Sequence, residues 1–118
     1  MKTLVLGASE KRERYANRAV RMLVSHGYEV IAIGKKAGKI DTVTIQVAFP
    51  QEAAVDTVSV YLNPDNQTEY FDKIVKLSPR RVIFNPGSEN KAFENHLNKH
   101  QIATERACTL VLLSTNQF

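Results

Sequence analysis

The chain has 118 residues, of which 43% are hydrophobic and 24% charged, and its net charge is +4. This length allows one domain with one core, and it excludes the separate substrate domain of a complete dehydrogenase. The single cysteine, Cys108, excludes an internal disulfide and a cysteine zinc site. No apolar run is long enough for a signal peptide or a membrane span. We therefore expect one soluble, cytoplasmic domain over residues 1–118, with no membrane partner.

The N-terminal half begins with a short apolar strand, 4–6, which ends at Gly7. An amphipathic helix is predicted next, and His26 and Gly27 mark its end. Its apolar stripe consists of Ala16, Ala19, Val20, Leu23 and Val24. Glu29–Ile33 is nearly all apolar and predicts a second strand that is buried on both faces. The remaining predicted elements of this half are a loop over 34–38, a short third strand over 43–45 and one helical turn over 50–54.

The middle of the chain predicts a strand followed by a capped helix. The strand covers 57–61, and Asn63 is then a good N-cap with Pro64 at the first helical position. One face of this helix is predicted to carry Gln67, Phe71, Ile74 and Val75.

The last third predicts a strand over 81–84, the turn 85–87 and a long helix that Ser88 can cap. One face of that helix carries Phe93, His96, Leu97 and His100. A final short strand is predicted over 102–104. The pattern of the tail, 108–118, fits either a helical turn or an edge segment.

Strands that alternate with helices and are joined by short loops predict parallel βαβ units. Right-handed crossovers place successive helices on alternate sides of a sheet whose strand order reverses once. We therefore predict a three-layer, Rossmann-like α/β domain with a mostly parallel sheet of five or six strands.

Ligands of such sheets bind beyond the carboxyl ends of the strands, beside the point where strand order reverses. Gly7 can adopt a positive φ, and the N–H groups that follow it, with the first helix, favour an anion. The turn lacks both G-x-G-x-x-G and the Walker pattern, so a tight turn without a ligand is the alternative. The candidate ligand-binding residues are Gly7, Ala8, Ser9, Gly34, Lys35, Lys36, Asn63, Pro64, Asn85, Pro86, Gly87 and Ser88.

The residues that follow the second strand help to predict which nucleotide is bound. NAD-binding domains place an acidic residue there to hold the ribose 2′-hydroxyl. This chain has Lys35 and Lys36 instead, and they favour a phosphate on the adenosine ribose, as in NADP or coenzyme A. The alternative is a solvated basic loop.

Over nearly its whole length the chain resembles the stand-alone CoA-binding domains, Rossmann-like proteins related to the N-terminal domain of the succinyl-CoA synthetase α subunit. The resembling segments are Leu4–Ser9 (opening strand and G-A-S turn), Gly27–Val30 (G-Y-x-V), Asp56–Val60 (D-x-V strand) and Asn85–Gly87. Cys108 stands where the family often has a cysteine, whereas the segment 38–46 is shorter than usual.

The resemblance implies that coenzyme A, an acyl-CoA or a related nucleotide is bound. Residues 7–9 would then meet phosphate and Lys35 or Lys36 the ribose end. Asn63 and Pro64 would border the adenine or pantetheine, and 85–88 would line the far wall.

No catalytic or metal constellation is evident. His96 and His100 have the spacing of two metal ligands, but no third ligand accompanies them. We expect a non-catalytic module that binds coenzyme A or a related adenine nucleotide as a sensor or a partner subunit, and we do not expect nucleic acid as a partner. Two alternatives stay open: an NADP-binding, oxidoreductase-like domain that needs a protein partner, and an interaction protein that has lost its ligand.

Overall fold

The computed structural model describes residues 2–118, and within them seven β-strands form one sheet with four α-helices around it. The strands are β1 (Lys2–Leu6), β2 (Glu29–Ile33), β3 (Gly38–Ile40), β4 (Val43–Gln46), β5 (Thr57–Val60), β6 (Arg81–Phe84) and β7 (Ala103–Arg106). The helices are α1 (Tyr15–Ser25), α2 (Phe71–Leu77), α3 (Lys91–Lys99) and α4 (Thr109–Ser114). Two 3-10 turns, Pro64–Asn66 and Thr68–Tyr70, precede α2.

The strand order is β3-β4-β2-β1-β5-β6-β7, and every pair is parallel except the β3–β4 hairpin. From β1 the chain first builds outward through β2 to the hairpin, and it then returns to the other side of β1 for β5. Strand order therefore reverses between β1 and β5, and sheets of this kind bind ligands at the carboxyl ends of the strands beside such a point.

Both faces of the sheet are covered. Along β1, Leu4 and Leu6 belong to a buried cluster with residues of α2 and α3, whereas Val5 belongs to a second cluster with residues of α1 and α4. These three side chains are at most 1% exposed. Because successive side chains of a strand point to opposite faces, a continuous apolar strand serves both cores.

The predicted fold class is confirmed, and the sheet described in residues 2–118 has more strands than the five or six expected. The additional strand is β3, whose start was predicted to be loop. Gly38 and Lys39 carry no apolar alternation, and their strand conformation depends on pairing with β4. The predicted helical turn over 50–54 is wrong, since this segment forms bends and extended chain.

The predicted helix starts need two corrections. Asn63 does cap, accepting a hydrogen bond from the Asp65 N–H at 3.0 Å, but it caps a 3-10 turn. Ser88 does not cap α3. Asn90 does, accepting from the Phe93 N–H at 3.1 Å. The tail forms α4 and packs on α1.

The burial predicted for β2 holds only for its second half. Glu29 is exposed, and Val30 and Ile31 are half-buried. Only the last two residues of β2 pair with β4, so its first half lies at an uncovered edge of the sheet.

No helix that the structure describes within residues 2–118 has the length and apolar composition needed to cross a membrane.

Asp56 connects three strands at the amino edge of the sheet. Its N–H donates to the Lys2 carbonyl at 2.9 Å, and its own carbonyl accepts from the Arg80 and Arg81 N–H groups. Its carboxylate accepts from the Arg80 guanidinium at 3.0 and 3.1 Å and from the Thr57 hydroxyl at 2.8 Å. The hydrogen bonds from Arg80 lower the Asp56 pKa, and partial burial opposes them.

We predict that Asp56→Asn lowers the free energy of unfolding at pH 7 by about 1 kcal/mol, a value reduced by the exposure of Arg80. Because the folded-state pKa is below 3.8, the carboxylate stabilises the fold above that pH, and its contribution disappears as pH falls through the folded pKa. Urea titrations from pH 7 to about pH 2 should show the gap between the two proteins narrowing once pH falls below 3.8. Glu52→Gln, a change at an exposed position, is the control, and a gap that does not narrow below pH 3.8 would contradict the assignment.

Candidate functional site

The turn after β1 rests directly on the end of β2. Gly7 has a φ of +102°, a conformation that favours glycine. The N–H groups of Gly7 and Ala8 both donate to the Ile33 carbonyl, each at 2.8 Å. These two N–H groups are therefore occupied, and an anion at this turn would have to be met by groups from Ser9 onward.

Gly34 explains how the turn approaches β2 so closely. A Cβ atom at Gly34 would lie 2.3 Å from the Ala8 carbonyl oxygen, well inside van der Waals contact. Gly34 is buried, and Lys35 and Lys36, which follow it, are exposed. Gly34 thus shapes the site through the backbone, whereas the lysine side chains are free to meet a ligand.

The β1–α1 loop, residues 9–14, separates the turn from α1. The sequence predicted the positive end of this helix close behind the turn, but α1 begins only at Tyr15. Within the loop, the Ser9 Oγ accepts from the Lys11 N–H at 3.1 Å, which leaves the hydroxyl proton free to be donated. The loop carries three cationic side chains: Lys11, Arg12 and Arg14.

Asn17, which sequence reasoning missed, fastens this loop to α1. Its side chain is 1% exposed, and its Nδ2 donates to the Ser9 carbonyl at 2.8 Å. Its Oδ1 accepts from the Arg21 Nε at 2.8 Å, and the Arg21 Nη2 donates to the Arg12 carbonyl at 3.1 Å. A polar residue beside the apolar stripe of α1 is the one sequence signal that could have revealed it.

The β3–β4 hairpin contacts the same loop. The Glu10 Oε2 accepts from the Lys39 N–H at 2.9 Å. Arg12 forms an exposed ion pair with Asp41 at 3.3 Å. The hairpin therefore lies beside the loop. In the chain it begins at Gly38, two residues after Lys36.

The segment that follows β5 packs against the Gly7 turn. The Tyr61 N–H donates to the Leu6 carbonyl at 2.8 Å. A Cβ at Gly7 would lie 3.2 Å from the Tyr61 carbonyl carbon and 3.3 Å from the Leu62 nitrogen. Asn63 follows and is exposed, with Pro64 half-buried beside it. The structure thus brings this segment against the Gly7 turn.

At the exit of β6, the polar side chains are buried instead of facing solvent. Asn85 is 1% exposed, and its Nδ2 donates to the Ser59 hydroxyl and the Val60 carbonyl, both at 2.9 Å. Ser88 is 2% exposed and donates to the Asn85 carbonyl at 2.7 Å. These two predicted site residues turn inward and stabilise the edge of the sheet. Only the turn between them, 86–87, is exposed.

Gln67 connects the β5 and β6 exits. It is fully buried, and its Nε2 donates to the Leu62 carbonyl at 2.9 Å and to the Ser88 carbonyl at 2.8 Å. Its Oε1 accepts from the Asn90 Nδ2 at 3.1 Å. Because the amide is satisfied on both sides, it fixes the two loops in one arrangement.

Tyr61 places a phenol beneath the site. Its hydroxyl oxygen is buried and has no hydrogen-bond partner in residues 2–118. Burial raises the pKa of Tyr61 to about 12, so the group stays protonated at neutral pH. It is therefore not a base under physiological conditions.

The strand order and the turn after β1 define a Rossmann-type α/β protein. A model of the CoA binding domain family matches residues 1–114. The chain belongs to this CoA binding domain family, as the resemblance of its motifs predicted. None of the curated proteins compared with the chain matches it.

Solved structures share the fold of this chain. A crystal structure described as that of an uncharacterized protein is 45% identical, with a TM-score of 0.96, over 99% of this chain and 97% of the other. Cell-free ID.343 from Thermus thermophilus has the same fold at 21% identity, with a TM-score of 0.87 and coverage of 99% and 90%. The dinucleotide forming acetyl-coenzyme A synthetase 1 of Ca. Korarchaeum cryptofilum, solved with phosphate and ADP, contains the fold at 16% identity. That match has a TM-score of 0.73 and covers 87% of this chain but 25% of the synthetase.

We predict that Asn17→Ala releases the β1–α1 loop from α1, because the Ser9 carbonyl and the Arg21 Nε both lose their partner. The loss should lower the free energy of unfolding by about 1–3 kcal/mol. Hydrogen exchange should accelerate at the backbone amides of 9–12 more than in the sheet. Asn98→Ala, at an exposed position of α3, is the control. Unchanged exchange in the loop would show that Asn17 does not hold it.

Proposed function

We propose that the chain binds coenzyme A, or an acyl-CoA, in the crevice between the carboxyl ends of β1 and β5, and that it acts by binding alone. Membership of the CoA binding domain family supports a nucleotide of this class. The observation that carries the proposal is the meeting of three exits at one edge: the Gly7 turn, the basic segment Gly34–Lys36 and the Asn63–Pro64 segment. A sensor or a partner subunit would need only to bind the ligand and would not need to catalyse a reaction.

In the proposed complex the pyrophosphate lies on the β1–α1 loop. Ala8 is buried and offers only backbone, whereas Ser9 is half-buried and offers its hydroxyl proton. Loop cations and the unpaired N–H groups that begin α1 would favour the negative charge. Because Asn17 already holds this loop on α1, the loop loses less conformational entropy when the anion binds.

The ribose phosphate lies over the exit of β2 in this proposal, where Lys35 and Lys36 are exposed. Asn63 and Pro64 border the adenine or the pantetheine. The exposed turn 86–87 forms the far wall, and the inward-facing Asn85 and Ser88 support it.

NADP is the second candidate, because the same two lysines suit its ribose phosphate. In that case the chain would serve an oxidoreductase whose substrate site comes from a protein partner. NADP and coenzyme A both carry a phosphate on the adenosine ribose but differ beyond the pyrophosphate. Direct comparison of the two nucleotides separates the candidates.

We predict that coenzyme A raises the melting temperature of the purified chain. At about 100 times its dissociation constant a ligand of the folded state adds roughly 2.7 kcal/mol to the free energy of unfolding. A thermal-shift series with coenzyme A, acetyl-CoA, NADP, NAD and AMP measures this. A shift with NADP alone would favour the second candidate, and no shift with any nucleotide would refute binding by the free chain.

We further predict that replacing Lys35 and Lys36 together with alanine weakens coenzyme A more than dephospho-CoA, which lacks the ribose phosphate. Removing two cations beside a phosphate should cost about ten- to a hundredfold in affinity for coenzyme A. Titration calorimetry measures both ligands. The matched control replaces Lys91 and Lys99, two exposed lysines of α3, with alanine. Equal losses for both ligands would mean that Lys35 and Lys36 do not read the ribose phosphate.

A further inference from the structure

Glu10 reaches from the β1–α1 loop to the outermost strand of the sheet. Its Oε2 accepts the Lys39 N–H at 2.9 Å, and Lys39 lies in the middle of β3. Since β3 pairs only with β4, the opposite row of its backbone groups is open. Glu10 therefore places a carboxylate at the outer edge of the sheet, on the hairpin that follows Lys35 and Lys36 in the chain.

Gly38 shows how closely the carboxylate sits. A Cβ built on Gly38 would lie 2.4 Å from the Glu10 Cδ and 2.6 Å from its Oε2. Gly38 has no positive φ, in contrast to Gly7, Gly27 and Gly87, so its backbone conformation does not require glycine. The close approach of the Glu10 side chain accounts for a glycine at this position.

The surroundings of Glu10 are otherwise basic. Lys35, Lys36 and Lys39 are all exposed, and Lys36 is three positions from the residue whose N–H Glu10 binds. Three residues of chain span at most about 10 Å, so the Lys36 backbone lies within about that distance of the Lys39 N–H that Glu10 binds. A phosphate held close to this backbone would lie about a Debye length from the Glu10 carboxylate.

We propose that Glu10 is a specificity-determining residue of this site, and that its carboxylate lowers the affinity for nucleotides that carry a phosphate on the adenosine ribose. The inference rests on the proposed nucleotide function and refines it. NAD-binding domains place a carboxylate near this ribose from the end of the second strand. Here the second strand ends in Gly34 and lysines, and the carboxylate comes from the β1–α1 loop instead.

The charge of Glu10, and not its hydrogen bond, is what a ligand phosphate would sense. Glutamine at position 10 can still accept the Lys39 N–H through its amide oxygen, but it carries no charge. A phosphate monoester bears between one and two negative charges near pH 7. Its repulsion by a carboxylate about 10 Å away at the surface corresponds, at low ionic strength, to about a three- to tenfold change in affinity.

The test is calorimetric titration of coenzyme A and dephospho-CoA into the wild-type chain, Glu10→Gln, Gly38→Ala and Glu13→Gln. Glu10→Gln should raise the preference for coenzyme A over dephospho-CoA by about three- to tenfold. Gly38→Ala should act in the same direction, since its Cβ drives the flexible carboxylate away while Glu10 remains in the chain. Both gains should shrink at high ionic strength.

Glu13→Gln is the matched control, because it removes the same charge from the same exposed loop, and Glu13 forms no hydrogen bond with the hairpin within residues 2–118. It should leave the ratio of the two affinities within about twofold of wild type. If both ligands bind and Glu10→Gln leaves their ratio unchanged, the role of Glu10 is overturned and the nucleotide function stands. If neither ligand binds the wild-type chain, the proposed function itself fails, and the role of Glu10 falls with it.

Discussion

Two N–H groups share one acceptor at the centre of this fold: those of Gly7 and Ala8, both bound to the Ile33 carbonyl. This arrangement places the turn after β1 directly on the end of β2. It is possible only because Gly34 has no Cβ where the Ala8 carbonyl lies, and because Gly7 has none where β5 exits toward Leu62. The turn after β1 thus packs backbone against backbone on the ends of β2 and β5, and this close packing limits its movement relative to those strands.

Buried amide side chains hold the loops of this edge from both faces of the sheet. Asn17, on α1, binds the loop after β1. Gln67, on the opposite side of the crevice, binds the exits of β5 and β6. A buried amide is costly unless its donors and acceptor are paired, so each of these side chains stabilises one loop conformation.

Sequence patterns predicted most of the sheet, because β1, β2, β5 and β6 are apolar and β-branched runs with clear ends. They did not predict β3, whose Gly-Lys-Ile sequence carries no period and depends on its partner strand. At the site, the positions of the exits followed from topology alone. The direction of each side chain did not, because Asn85 and Ser88 are polar residues at an exit in sequence yet buried in three dimensions. Likewise, the contact of Glu10 with a strand 29 positions away could not be read from the sequence around it.

The β3–β4 hairpin beside the proposed ribose position is short. The β3 strand has three residues, and its turn follows at once with Asp41 in the left-handed region at a φ of +52°. In the proposed complex, a ligand would meet the lysines after Gly34 and the Glu10 carboxylate together, two opposite charges supplied by two different loops. Pyrophosphate binding at a turn that precedes a helix is common to many nucleotides. The choice among them would then depend on the balance of these charges, which a single substitution on either loop can alter.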